Sequence, residues 1–127
     1  MTKENNKKVF IICTVRGASN EYRAKLEAYV KDLEYKGYIV HLPHRDTKQD
    51  DTGINICTNN MNAIRSANEV HVFYNPDSTG THFDLGGAFA LDKKLVVVEN
   101  VDYGEGKSFP RMIDEWEANG NDDKKEI

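Results

Sequence analysis

Apolar residues fall along this chain in two alternating rhythms, and the switches between them predict its elements. Val9-Phe10-Ile11-Ile12-Cys13 is an unbroken apolar run, β-branched and aromatic, as in a strand covered on both faces. After the polar turn Thr14 to Ser19, Tyr22, Leu26, Tyr29, Val30 and Leu33 recur at helical spacing. They predict a helix capped by Ser19 or Asn20 and stopped by Gly37. Tyr38-Ile39-Val40-His41-Leu42, closed by Pro43, predicts a second strand. A polar, Asp-rich loop from His44 to Gly53 follows. Ile54, Cys57, Met61, Ile64 and Ala67 mark a second helix with Asp51 or Thr52 as its cap. Val70 to Tyr74 reads as a third strand, and the turn from Asn75 opens a third helix that ends at Asp92-Lys93-Lys94. Leu95 to Glu99 is a fourth strand. Phe109, Met112, Ile113 and Trp116 define a last amphipathic helix, with Pro110 near its start and Gly120 at its end.

Alternating strands and helices predict an α/β, doubly wound, Rossmann-like parallel sheet of four to five strands with helices on both faces. The expected order is 2-1-3-4, which reverses between strands 1 and 3 and opens a crevice at their carboxyl ends. The turns Thr14 to Gly17 and Asn75 to Gly80 are thereby expected to meet. The predicted organisation is a flexible segment 1–7, a single nucleotide-binding domain 8–120 and a disordered charged tail 121–127.

Composition narrows the function. Seventeen basic and 21 acidic residues are mixed along the chain, for a net charge of -4, and no basic patch suits a nucleic acid polymer. Cys13 and Cys57 read as small buried hydrophobes in a reducing compartment, which predicts a cytoplasmic protein without disulfides. The run Val9 to Val15 after Lys7-Lys8 is too short for a signal peptide and is broken by Thr14, so no membrane association is expected.

The chemistry concentrates at the two turns. Arg16 is their single arginine, and its fork suits a phosphate. The turn before the third helix offers free N–H groups and the positive end of the helix dipole. Asp84 is expected inside the first helical turn beside that anion site, as either a chemical group or a simple complement to the dipole. Asn60 on the second helix either faces the crevice or is an ordinary exposed helix residue. His41-x-x-His44 lacks a third ligand at a recognisable spacing, so no metal is expected. The single glycine of the first turn does not make a dinucleotide fingerprint, and Gly86-Gly87, inside a helix, reads as allowing close packing.

Cys13-Thr14-Val15-Arg16-Gly17 together with Ser78-Thr79-Gly80-Thr81-His82-Phe83-Asp84-Leu85-Gly86-Gly87-Ala88 resembles the nucleoside 2-deoxyribosyltransferase family. The branch it is most similar to is that of the 2′-deoxynucleoside 5′-monophosphate N-hydrolases. The resemblance implies cleavage or transfer at an N-glycosidic bond without a cofactor, in a homodimer or higher homo-oligomer. It implies that Asp84 occupies the nucleophile position, where the family has glutamate, and that Asn60 occupies that of an aspartate tied to the sugar and proton transfer. Arg16, Gly17, Ser78 and Gly80 would hold the 5′-phosphate, and Cys13, His44 and Asp46 would line the sugar and base pocket. Both carboxylate positions are changed. Asp84 is one methylene shorter, and an amide at Asn60 cannot carry a proton at neutral pH. Asp46, Asp50 and Asp51 are the replacement acids the loop offers. The changes also allow a nucleotide-binding or sensing protein without turnover, or a hydrolase of a larger nucleotide such as NAD.

Overall fold

The computed structural model describes residues 6–125, and the expectations for residues 1–5 and 126–127 lie outside them. Four parallel strands, β1 (Lys8–Ile12), β2 (Ile39–His41), β3 (Glu69–Phe73) and β4 (Lys94–Glu99), form one sheet in the order β2-β1-β3-β4. The helices are α1 (Asn20–Tyr35), α2 (Pro43–Asp46), α3 (Gly53–Ser66), α4 (Thr79–Ala90) and α5 (Phe109–Lys125). The expected order and the reversal between β1 and β3 are both present.

Strand alternation sorts the core into two layers. Val9, Ile11 and Cys13 point to one face, where Leu26, Val30 and Leu33 of α1 cover them. Phe10, Ile12, Val70 and Val72 point to the other, against Ile64 of α3, Leu85 and Ala88 of α4 and Ile113 and Trp116 of α5. The continuous apolar runs of β1 and β3 therefore follow from burial on both sides. Trp116 Nε1 donates to Lys93 O at 3.2 Å, and Glu117 Oε2 accepts the Val97 N–H at 2.8 Å, which pins α5 along β4.

The caps fall where turn chemistry put them. Ser19, Thr52 and Ser78 accept from Tyr22 N, Asn55 N and Thr81 N, and Gly37 ends α1 with φ of 96°. Gly120, with φ of 70°, breaks α5 at the expected place.

Three expectations differ. The second strand is shorter than Tyr38 to Leu42. The segment after it is not all loop, because Pro43, preset for a first helical turn, starts α2. The third strand begins one residue earlier, at Glu69, and its polar residues are buried. Glu69 Oε1 meets His71 Nε2 at 2.8 Å, and His71 Nδ1 meets the Tyr29 hydroxyl at 2.7 Å. His71 is thus part of an interior network.

Candidate active site

The turn after β1 needs one left-handed residue to fold back, and Gly17 supplies it with φ of +74° and open space around its α-carbon. Ala18 N closes on Val15 O at 3.3 Å, and the Thr14 N–H is held by the Tyr22 hydroxyl at 3.1 Å. In the turn after β3, Asn75 Oδ1 accepts the Asp77 N–H at 2.9 Å and Ser78 N closes on Asn75 O at 3.1 Å. Asn75 Nδ2 then donates to Thr14 Oγ1 at 2.9 Å, joining the two turns.

Between them and α3 lies a crevice of about 780 Å³. Arg16, Gly17, Ser78 and Gly80 form one end of its lining, and Cys13, Asn60 and Asp84 also line it. Ser78 Oγ accepts from Thr81 N as a cap, which leaves its hydroxyl proton available to a ligand. The N–H groups of Thr79 and Gly80, in the first turn of α4, have no intrahelical acceptor. Together with the Arg16 guanidinium they make a site for an anion.

Asp84 lines this wall from the second turn of α4 rather than the expected first, because the helix begins at Thr79. It is only 8% exposed, and no side chain among the described residues forms an ion pair with it. Burial pushes its carboxyl up to about 7. Cys13 lies next to it, and burial first and the Asp84 charge second push the thiol up to about 12, so it is a neutral wall of the pocket. Asn60, half-buried on α3, accepts a hydrogen bond from Thr47 Oγ1 at 2.6 Å. It faces the crevice and is not an ordinary exposed helix residue.

Two expected pocket residues sit elsewhere. Asp46 does not line the crevice: its carboxylate accepts the Leu42 N–H at 2.9 Å and is gripped by Arg45, which also reaches Glu34. Burial raises its carboxyl, but the Arg45 and Leu42 hydrogen bonds outweigh this and hold it below the usual range. A carboxylate so paired is a poor proton source. His44 stands behind the wall, close to Arg23 and Glu27, and burial followed by the Arg23 charge lowers its pKa and keeps it neutral. Asp50 and Asp51 are exposed and outside the lining, with Asp51 occupied by Thr52 N and Asn55.

The crevice also contains residues the sequence did not single out. Arg23 adds a second guanidinium, and Gln49, Cys57 and Phe83 complete other parts of the wall. Arg23 follows the Ser19 cap by one turn, so the end of α1 nearest the first turn was a usable signal. Cys57 is half-buried and on the crevice, which corrects its reading as a core hydrophobe.

No family model matches the sequence, and comparison with curated proteins finds no match. Solved structures do match. The chain is similar to the CMP N-glycosidase BcmB of Clostridium botulinum, with a TM-score of 0.57 and 22% identity over 86% of this chain and 81% of that one. It is similar to the 2-deoxyribosyltransferase of Bacillus psychrosaccharolyticus, with a TM-score of 0.63 and 19% identity over 85% and 80% of the two chains. A 2-deoxyribosyltransferase of Leishmania mexicana matches with a TM-score of 0.60 and 21% identity, over 75% of this chain and 65% of that one. At these identities the likeness is one of fold: the chain is a doubly wound α/β domain of the kind these proteins share.

Proposed function

We propose that the protein is an N-glycosidase that cleaves the bond between sugar and base in a (deoxy)nucleoside 5′-monophosphate, or transfers the sugar to another base. The observation that carries this reading is Asp84, a buried carboxylate with no donor among the described residues, on the same crevice as Arg16 and the N-terminus of α4. A phosphate held by Arg16, Gly17, Ser78 and Gly80 brings the anomeric carbon of its sugar toward Asp84. The match to enzymes of N-glycosidic chemistry in fold supports the reading further.

In the reaction, the ionised Asp84 Oδ forms a bond to C1′ as the C1′–N bond breaks, and the electron pair leaves with the base. The base takes its proton from water, since neither Asn60 nor the paired Asp46 can supply one. Water then attacks C1′ of the glycosyl ester, releasing the sugar phosphate and the free carboxylate and giving its proton to solvent. In transfer, a second base replaces that water. Burial of Asp84 serves this chemistry, because a poorly solvated carboxylate is a stronger nucleophile for an oxocarbenium-like carbon. Phe83, 54% exposed on the crevice wall, offers a ring to the base.

Large apolar side chains left exposed, Phe83 on the crevice wall together with Ile54 at 74% and Phe109 at 61%, support a homodimer. The unpaired cysteines are consistent with a cytoplasmic protein, and no described helix is long and apolar enough to cross a membrane.

The test is chromatography of free base after incubation with each ribonucleoside and deoxyribonucleoside 5′-monophosphate and the matching nucleosides. Release from the monophosphates, abolished in Asp84→Asn and with KM raised ~10–100-fold in Arg16→Ala, is the expected result. Intact ligands that nevertheless raise the melting temperature would replace this reading with binding alone.

A further inference from the structure

Asn60 stands where the resembled family has an aspartate, so the direction in which its amide points decides what it can recognise. Its Oδ1 lies 2.6 Å from Thr47 Oγ1, a separation typical of O–H···O and shorter than N–H···O contacts usually are. The Thr47 hydroxyl therefore donates to Asn60. Thr47 has a single proton, and His41 Nε2 lies 2.7 Å from the same hydroxyl oxygen. With that proton spent on Asn60, His41 Nε2 must be the donor. Thr47 is 4% exposed and does not line the crevice, so the relay runs inside the protein. His41 is itself fixed by stacking on Phe10, with ring centroids 5.2 Å apart and planes inclined by 13°.

We propose that His41 and Thr47 are positioning residues that set the polarity of Asn60: the chain His41 Nε2–H to Thr47 O–H to Asn60 Oδ1 turns the amide NH₂ to the crevice. The inference rests on the proposed N-glycosidase reading for the meaning of that face. Asn60 then offers a hydrogen-bond donor and recognises an acceptor on the substrate, a sugar oxygen or a base carbonyl. An aspartate at this position would still accept from Thr47, but would present a second lone-pair oxygen to the crevice that also holds the Asp84 carboxylate. The amide thus replaces a proton carrier by a fixed donor, and Thr47 is what makes its direction unique. Without the Thr47 hydroxyl the two ends of the amide would be interchangeable.

Two readouts test this. In the first, the side-chain amide resonances of Asn60 are followed by NMR in the free protein. Thr47→Val, nearly the same shape, is expected to shift and broaden them, while Thr47→Ser keeps the wild-type pattern. Unchanged resonances in a folded Thr47→Val protein would overturn the relay, whatever the enzyme does.

In the second, base release is measured. Thr47→Val is expected to lower kcat/KM about tenfold, the effect of one lost hydrogen bond, and Thr47→Ser to restore it. His41→Phe, which keeps the stack on Phe10, is expected to have a smaller effect than Thr47→Val, and the double variant no more than Thr47→Val alone, as members of one chain behave. Full additivity of the two, or full activity in Thr47→Val, would also overturn the relay. Absence of base release in the wild type would fall on the N-glycosidase reading, and the resonances would then decide the relay by themselves.

Discussion

Asn75 Nδ2 donates to Thr14 Oγ1 at 2.9 Å, and by this bond two turns separated by 61 residues share one geometry. Arg16 lies in one turn and Ser78 in the other, so the two halves of the proposed anion site are set by the same side chain. Asn75→Ala removes the tie and the Asx turn to Asp77 together. The expected outcome is a loss of roughly 1 kcal/mol in urea unfolding and a larger proportional rise in KM for monophosphates than for nucleosides. Equal changes in the two KM values would show that the tie does not serve the phosphate.

Asp84 links pH to both activity and stability. Its carboxyl titrates at about 7 in the fold against an ordinary 3.8. The folded chain holds this proton more tightly than the unfolded one, so the group favours the fold below 3.8 and that contribution is lost as pH rises to about 7. The loss is at most roughly 4 kcal/mol. Asp84→Asn is therefore expected to raise the melting temperature at pH 8 and to change it little at pH 4. In the proposed reaction base release needs the ionised form, so kcat/KM is expected to climb with pH and level off above about 7. A profile flat down to pH 5 would contradict the assignment of Asp84.

The interior network at the far end of β3 is a matter of stability alone. An ionised Glu69 can only accept, so His71 donates from Nε2 and receives the Tyr29 hydroxyl at Nδ1. Burial, against the pull of Glu69, lowers the His71 pKa and favours this neutral form. Tyr29→Phe leaves Nδ1 buried and unpaired. A destabilisation of about 1–2 kcal/mol is expected in denaturant titration, with base release unchanged.

The adjacent glycines of α4 are expected to respond differently. A Cβ on Gly87 would overlap the Sδ and Cε of Met61 on α3, whereas one on Gly86 meets nothing within 4 Å. Gly86→Ala should therefore stabilise the fold by about 0.5–1 kcal/mol. Gly87→Ala gains the same helix propensity but must displace the flexible end of Met61, so its melting temperature should lie below that of Gly86→Ala. The reverse order would show that the α3–α4 contact is loose.

Sequence reading succeeded where a physical rule acts over neighbouring residues. Burial on both faces wrote continuous apolar runs into β1 and β3, caps and glycines marked the helix ends, and strand order followed from crossover handedness. That Arg16, Ser78 and Asp84 share one crevice was legible because the first two stand in the turns after β1 and β3 and the third on the helix that the second turn opens. Where the choice of side-chain partner decides, the sequence was silent. Asp46 looked like an available acid, yet Arg45 beside it and the Leu42 N–H consume its carboxylate. His71 gave no signal either, since its partners Tyr29 and Glu69 come from α1 and from two positions earlier on β3. Thr47 gave no signal at all, since its importance lies in what His41 and Asn60 bring to it.

The carboxylate of Glu117, met above as a pin for α5, also closes the sheet. A parallel strand arriving beside β4 would offer a backbone carbonyl to the Val97 N–H, and would find that donor already engaged and a negative charge standing over it. The opposite margin, β2, is three residues long and gives a newcomer little to register against. Both margins of the four-stranded sheet are thus blunted against the strand-to-strand stacking from which fibrous aggregation grows.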